Sequence, residues 1–334
     1  MKKWFSIGIC ILFLLVLTGC NTYDISKILF IASVGIEKKG DSYQGYFYLP
    51  LSSDIGKTET TENSGKGEFA KIEGKTIQEL FTNIQATTSL NMNFRHVSSI
   101  VLQEELLNKD FLVELCDYIK FSLDIDFNCY LFVTTEKLEE LYDFENPNKE
   151  SVLNSLLVSS NDTSSLLLSA QPMHFLKFAC DFYDERSILF PLLVLEELWT
   201  IESEPVKSFH AQSSVFYYKD KVKEVKDHPS SLYFSAETAF FDRIDEVPIY
   251  LTHYKTKKDF KDRLYFTVEC SYEIFSSQHE VNREKIQSHI YSRIKEYIQE
   301  FEEMDPLNLA YYNQAYGTSC SYETMDIQII LHIN

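Results

Sequence analysis

The chain has 334 residues, 45% hydrophobic and 14% aromatic, with 31 basic and 50 acidic side chains and a formal charge of −19. That length and apolar content support a real core, divided over two or three domains. The acidity excludes nucleic-acid binding through bulk charge, since attraction to phosphate needs a basic surface, and it opposes adsorption onto an anionic bilayer.

Lys2 and Lys3 precede an apolar run from Trp4 to Leu17, the n-region and h-region of a secretory leader. The run is shorter than the roughly 20 residues a membrane-crossing helix needs. Leu17-Thr18-Gly19-Cys20 follows and resembles a bacterial lipobox. In that chemistry Leu17, Thr18 and Gly19 are read by the signal peptidase, which cuts before Cys20. Cys20 becomes the lipidated residue, an S-diacylglyceryl and N-acyl cysteine. A soft thiol is needed to form the thioether, and two acyl chains anchor far more firmly than one. Loss of residues 1–19 leaves 29 basic against 50 acidic side chains, a net charge of −21.

Ile28 to Ile36 is nearly continuous apolar sequence and Tyr43 to Leu51 is aromatic-rich, so Gly40-Asp41 reads as a hairpin turn. Residues 52–68 are rich in Ser, Thr, Gly and Glu and read as an exposed loop. "G-K-T-I-Q-E-L-F" follows from Gly74. A phosphate loop needs four residues between its glycines, whereas Gly67 and Gly74 are separated by six. Thr76 and Glu79 instead form a capping box, with Ile77, Leu80, Phe81 and Ile84 at helical spacing. His96 to Leu102 predicts a strand, Asp110 to Phe121 a helix with Phe111, Leu115, Cys116 and Ile119 inward, and Asn128 to Thr134 another strand. Polar sequence from Glu145 to Ser169 leads into a leucine run that periodicity assigns to neither helix nor loop.

Pro205, His210 and the nearby charges suggest a domain boundary. The predicted division is leader 1–19, a mixed α/β region 20–200, and a mixed α/β region 201–334 with a long helix. In the last region Ser213 to Tyr218 and Val222 to Val225 form a hairpin around Lys219-Asp220-Lys221. His253 to Arg263 is locally basic and reads as a solvated turn, or as a contact for acidic headgroups or an acidic partner. Leu264 to Phe275 alternates as a strand, with Leu264, Phe266, Val268, Cys270, Tyr272 and Ile274 on one face. Asn282 to Glu303 is the longest helix, its stripe formed by Ile286, Ile290, Ile294, Ile298 and Phe301. Ile327, Ile329, Leu331 and Ile333 close the chain as a strand. The fold class is α+β, multi-domain, with antiparallel-rich sheets and long packing helices.

Catalytic motifs are absent from the sequence. The eight histidines form no H-E-x-x-H or His-x-His, and no G-x-S-x-G occurs. Glu139-Glu140 and Glu196-Glu197 are adjacent in sequence and do not converge on a substrate. Beyond Cys10 and Cys20, the cysteines Cys116, Cys129, Cys180, Cys270 and Cys320 are odd in number and scattered. They form neither a disulfide framework nor a zinc pattern; Cys116 and Cys270 sit on apolar faces, which favours reading them as small buried hydrophobes.

Several stretches together resemble the Ger(x)C spore germination lipoproteins, the C subunits of GerA-type nutrient germinant receptors. They are the lipobox with "S-V-G-I-E-K" (33–38), "E-G-K-T-I-Q-E-L-F-T-N-I-Q" (73–85), "F-R-H-V-S-S-I-V-L-Q-E-E-L-L" (94–107), "S-V-F-Y-Y-K-D-K-V" (214–222 with Ser213 before it) and the helix at 282–303. The resemblance implies a non-enzymatic subunit without cofactor or metal. It implies anchoring through Cys20 on the extracytoplasmic face of the spore inner membrane. Its partners would be the A-type and the transporter-like B-type integral membrane subunits, and its fold three mixed α/β domains. The alternative is a solute-binding lipoprotein delivering a small molecule to a membrane transporter. The long strands and only 10 glycines speak against its hinged βα lobes. A lipid-anchored hydrolase lacks a carboxylate or metal set.

Overall fold

The computed structural model describes residues 27–50, 68–122, 125–143, 173–201, 204–225, 240–244, 247–261, 263–274 and 282–332. The leader, the predicted loop before Glu68 and the leucine run lie outside them. The apolar run 28–36 is two strands rather than one. β1 (Ile28–Phe30) stops before Ile31-Ala32, and β2 (Ser33–Lys39) then pairs antiparallel with β3 (Ser42–Leu49). Gly40 turns that hairpin at φ 60°, a conformation that only glycine adopts without cost. The sequence reading missed β4 (Glu68–Gly74), which pairs with β3.

Helix α1 (Ile77–Ala86) starts at Thr76, whose side chain accepts from the Glu79 N–H at 3.1 Å. The Glu79 carboxylate reaches back to the Lys75 N–H at 2.8 Å, one residue earlier than a strict capping box would place it. β5 (Asn91–Asn93) follows, then β6 (Ser99–Gln103), α2 (Lys109–Ser122) and β7 (Tyr130–Thr134). His96 precedes β6 rather than opening it. Beyond α3 (Leu138–Asp143) come β8 (Met173–His174), α4 (Phe175–Tyr183), β9 (Ile188–Ile201), β10 (Glu204–Tyr218) and β11 (Lys221–Val225).

Nine of these strands form one mixed sheet, ordered β11-β10-β9-β7-β6-β2-β3-β4 with β8 on β7; β2, β6, β7 and β9 are mutually parallel. Alternate residues serve opposite faces. Val34, Ile100, Leu102, Leu131 and Val133 join α1, α2 and α4 in one core, while Tyr46, Val101, Phe132 and Leu193 join α3 in another. Central strands covered on both sides must be apolar at nearly every position.

The 200/201 division falls inside the β9–β10 hairpin, so it does not separate two sheets. β10 pairs along β9 from Glu204↔Ile201 to Tyr217↔Ile188, and Pro205 is accommodated as the second residue of a strand. The second sheet begins at β12 (Phe240–Ile244) and continues through β13 (Val247–Phe260), β14 (Leu264–Ile274) and, after α5 (Arg283–Phe301) and α6 (Leu309–Tyr316), β15 (Asp326–His332). β15 lies parallel to β14, with α5 in the crossover. Leu264, Phe266, Val268 and Cys270 are fully buried against Ile286, Ile290, Ile294 and Ile298. Most of the basic run, His253 to Phe260, is part of β13, and only its end, with exposed Lys261 and Arg263, lies in the turn before β14. Lys255 and Lys257 are exposed, whereas Lys258 pairs in register with buried Phe266 and therefore points to the same inner face.

Candidate functional site: the N-terminal strand and the junction between the sheets

Leu17, Thr18, Gly19 and Cys20 lie outside the described residues. What is described is the fastening of the chain that follows them. β1 pairs in parallel with β5, Ile28↔Asn91 to Phe30↔Asn93. The Ile31 N–H donates to the Asn93 carbonyl at 3.1 Å, and Phe30 meets the His96 ring edge-on at 5.0 Å. Ile31 is fully buried. The first described strand is therefore fastened to the core of the first sheet through Ile31.

The two sheets meet at a polar hub and an aromatic contact, neither of which the sequence reading found. Asp305 stands in the left-handed region at φ 48° and accepts from the Leu309 N–H (2.7 Å), the Ala310 N–H (2.9 Å) and the Tyr322 hydroxyl (2.6 Å). The next turn offers Asn308 Oδ1 to the Ser187 N–H at 2.6 Å, joining the second unit to the first. Arg186 lies 3.8 Å over the Tyr311 ring and pairs with Asp184 at 2.9 Å and Asp181 at 3.4 Å. Lys258 donates to the Leu307 carbonyl at 3.1 Å. Burial lowers its pKa to about 8; Lys177 and Arg186 add to that, and Asp305 opposes it.

The aromatic contact joins β10 to α5. Phe216 lies 5.4 Å from Phe301 and 6.2 Å from Tyr297, with Met304, Tyr218 and Val225 completing the cluster. Burial drives the Tyr297 phenol well above its ordinary pKa. Lys223 caps the cluster, donating to the Glu300 carbonyl at 2.6 Å and lying 4.8 Å from the Phe301 ring. The β10–β11 turn is sharper than predicted, with Lys219 and Asp220 both at positive φ (50° and 61°). Asp220 is held there by the Lys109 N–H at 2.7 Å and the Tyr217 hydroxyl at 3.1 Å.

Two grooves flank α2, but neither assembles a reactive set. One, of about 650 Å³, runs between α1 and α2 and is lined by Gln78, Thr82, Gln85, Asp117 and Phe121 among others. At its head the Ile77 N–H already donates to Glu114 Oε1 at 2.7 Å, so a carboxylate occupies the place a phosphate would need. A Cβ on Gly74 would come within 2.8 Å of the Leu80 nitrogen, so this glycine serves close strand–helix packing. The other, of about 400 Å³, is lined by Lys109, Phe182, Tyr183, Arg186, Tyr217 and Lys219 among others.

Buried hydroxyls are likewise structural. Ser99 donates to Ser33 at 2.8 Å, and Tyr142 of α3 contacts Ser33 at 2.9 Å, all three buried. Cys116, Cys129 and Cys270 are buried, and burial pushes each thiol up to about 12. Cys320 is also buried, while Cys180 is exposed. Glu139 pairs with Lys71 across the surface. Among the described residues no cluster of His, Cys, Asp or Glu could hold a metal ion.

Residues 21–195 match the family model described as the spore germination protein N-terminal domain. A Bacillus subtilis (strain 168) protein, YfkR, which carries a spore germination designation, is 31% identical over 118 residues, 32% of this chain and 29% of that one. The chain thus spans less than a third of that relative's length in the match. The crystal structure of the GerBC protein superposes with a TM-score of 0.48 at 12% identity, over 89% of this chain and 96% of that one. With its family match covering more than half of the residues, from β1 into β9, the chain belongs to the Ger(x)C family of spore germination proteins.

Proposed function

We propose that this protein is the lipid-anchored subunit of a spore nutrient germinant receptor, acting by docking rather than by catalysis. The observation that carries this reading is one of position. The family match begins at residue 21, one residue after the cysteine of Leu17-Thr18-Gly19-Cys20. In this reading Cys20 bears the acyl chains and holds the body on the extracytoplasmic face of the spore inner membrane. The A-type and B-type integral membrane subunits are its partners. No helix among the described residues is long and apolar enough to cross a membrane, and the reading assigns attachment to Cys20.

The test is fractionation of spores carrying Cys20→Ala. The variant moves from the membrane fraction to the soluble fraction, because two acyl chains supply the binding energy in this reading. Retention of the variant in the membrane contradicts it. Mass spectrometry of the native N-terminal peptide checks the acyl chains directly, and co-purification of two multi-span proteins from spore membranes checks the docking.

A further inference from the structure

The parallel strands β2, β6 and β7 begin at one end of the first sheet. Backbone bonds tie the segments there side by side: Ser98 N–H to the Ala32 carbonyl at 2.9 Å, Tyr130 N–H to Ser98 at 2.8 Å, Phe175 N–H to Cys129 at 2.9 Å and Leu176 N–H to Phe127 at 3.0 Å. Helix α2 leads from the end of β6 back to the start of β7, so its last turn lies at this end as well. Leu90, Phe121, Phe127 and Leu176 project from these segments, exposed by 37%, 72%, 38% and 53%. They are four of the eight large apolar side chains exposed among the described residues. Such clustering marks a contact surface rather than scattered surface apolarity.

The same end receives the chain from Cys20. The Ile28↔Asn91 pairing sets Lys27 level with Leu90. Six residues, 21–26, separate Cys20 from Lys27. Even fully extended they reach only about 25 Å, at roughly 3.5 Å per residue. An acylated Cys20 therefore holds this end within that reach of the lipid. The surrounding charge is mixed: Arg95 and Lys120 are exposed here, and so is Asp126. Lys120 Nζ lies 5.2 Å from the Phe121 ring, a cation beside an aromatic as interfacial segments present them.

We propose that this end is a membrane-seating face, on which Leu90, Phe121, Phe127 and Leu176 enter the headgroup–acyl boundary of the bilayer that carries the anchor. The inference rests on the anchored reading, so its test supplies the tether chemically. The mature chain, residues 20–334, with Cys180→Ser and Trp199→Phe, is coupled through Cys20 to a maleimide phospholipid in zwitterionic vesicles. Phe121→Trp then carries the sole tryptophan, and Tyr291→Trp on α5 is the control. With brominated phospholipid in the vesicles, Phe121→Trp fluorescence falls by half or more and the control is unchanged. Adding Leu176→Glu and Phe127→Glu to Phe121→Trp restores the emission. Equal emission from tethered Phe121→Trp in brominated and plain vesicles overturns the seat and leaves the face to a protein partner. Because the tether is synthetic, a bare native Cys20 would refute the anchored reading through mass spectrometry alone, a result distinct from either quenching outcome.

Discussion

The two sheets are built by different rules. The first is covered on both faces, by α1, α2 and α4 on one side and α3 on the other, so its central strands are apolar at successive positions. The second has one closed face. Leu264, Phe266, Val268 and Cys270 are fully buried beneath α5, while Lys255, Lys257 and Glu269 are exposed. A sheet with one core face has less apolar surface to bury per residue and leans on its neighbours. For the second unit those neighbours are Phe216 of β10 and Ser187 beside α4. The lesson is that the junction belongs to the stability of the second unit and does not merely join two finished domains.

Phe301→Ala attacks that dependence most directly. Phe301 is fully buried between Tyr297 and Phe216, and removing such a ring costs about 3–5 kcal/mol. The expected outcome is a separated transition in urea. The second unit unfolds first and the first sheet follows at higher urea, two steps that far-UV circular dichroism resolves. A single coincident transition at a lower midpoint would mean that the two sheets unfold together and that the contrast between them has no thermodynamic counterpart.

Lys258 sharpens the same contrast electrostatically. Its folded pKa is about 8, against 10.5 for the free side chain. Below pH 8 both folded and unfolded chains hold the proton, and the buried charge keeps stability at its lower value. Between pH 8 and 10.5 the unfolded chain holds a proton the folded one has released, so stability rises with pH through that window. The stem is only partly buried, which reduces the gain to about 1–2 kcal/mol. Lys258→Met should abolish this increment. The check is the difference between wild-type and variant stability from urea titrations at pH 7 and pH 10, which cancels the contribution of other titrating groups.

The parts of this architecture legible in the sequence are those with a strong local period. The α5 stripe, the alternation of β14 and β15, the α1 cap and the Gly40 turn all follow from side chains a few residues apart. β4 escaped because it pairs on one side only and offers just Phe69, Ala70 and Ile72 as apolar residues beside a polar stretch. β13 escaped because its lysines imitate a solvated turn, although register sends Lys258 inward and its neighbours outward. The hub at Asp305 has no local signature at all. Ser187 and Asn308 stand 121 residues apart, and only the packing of α4 against the Asp305 turn brings them together. The end carrying Leu90, Phe121, Phe127 and Leu176 is hidden for the same reason, since each residue stands at or near the boundary of a different element.

The smallest effect is expected where the sequence was clearest. Thr76 caps α1 through a single bond to the Glu79 N–H, and its loss costs about 1 kcal/mol. Thr76→Ala should lower the first sheet's unfolding free energy by that amount and leave the second unit's transition in Phe301→Ala where it was, because α1 contributes no residue to the junction clusters. Glu79 still accepts from the Lys75 N–H in the variant, and Ile77 keeps Glu114, so the helix start is weakened rather than opened. A loss of several kcal/mol from Thr76→Ala, or an equal shift in both transitions, would show that the two sheets share their stability from end to end, and the distinction between a doubly covered and a singly covered sheet would then carry no energetic meaning.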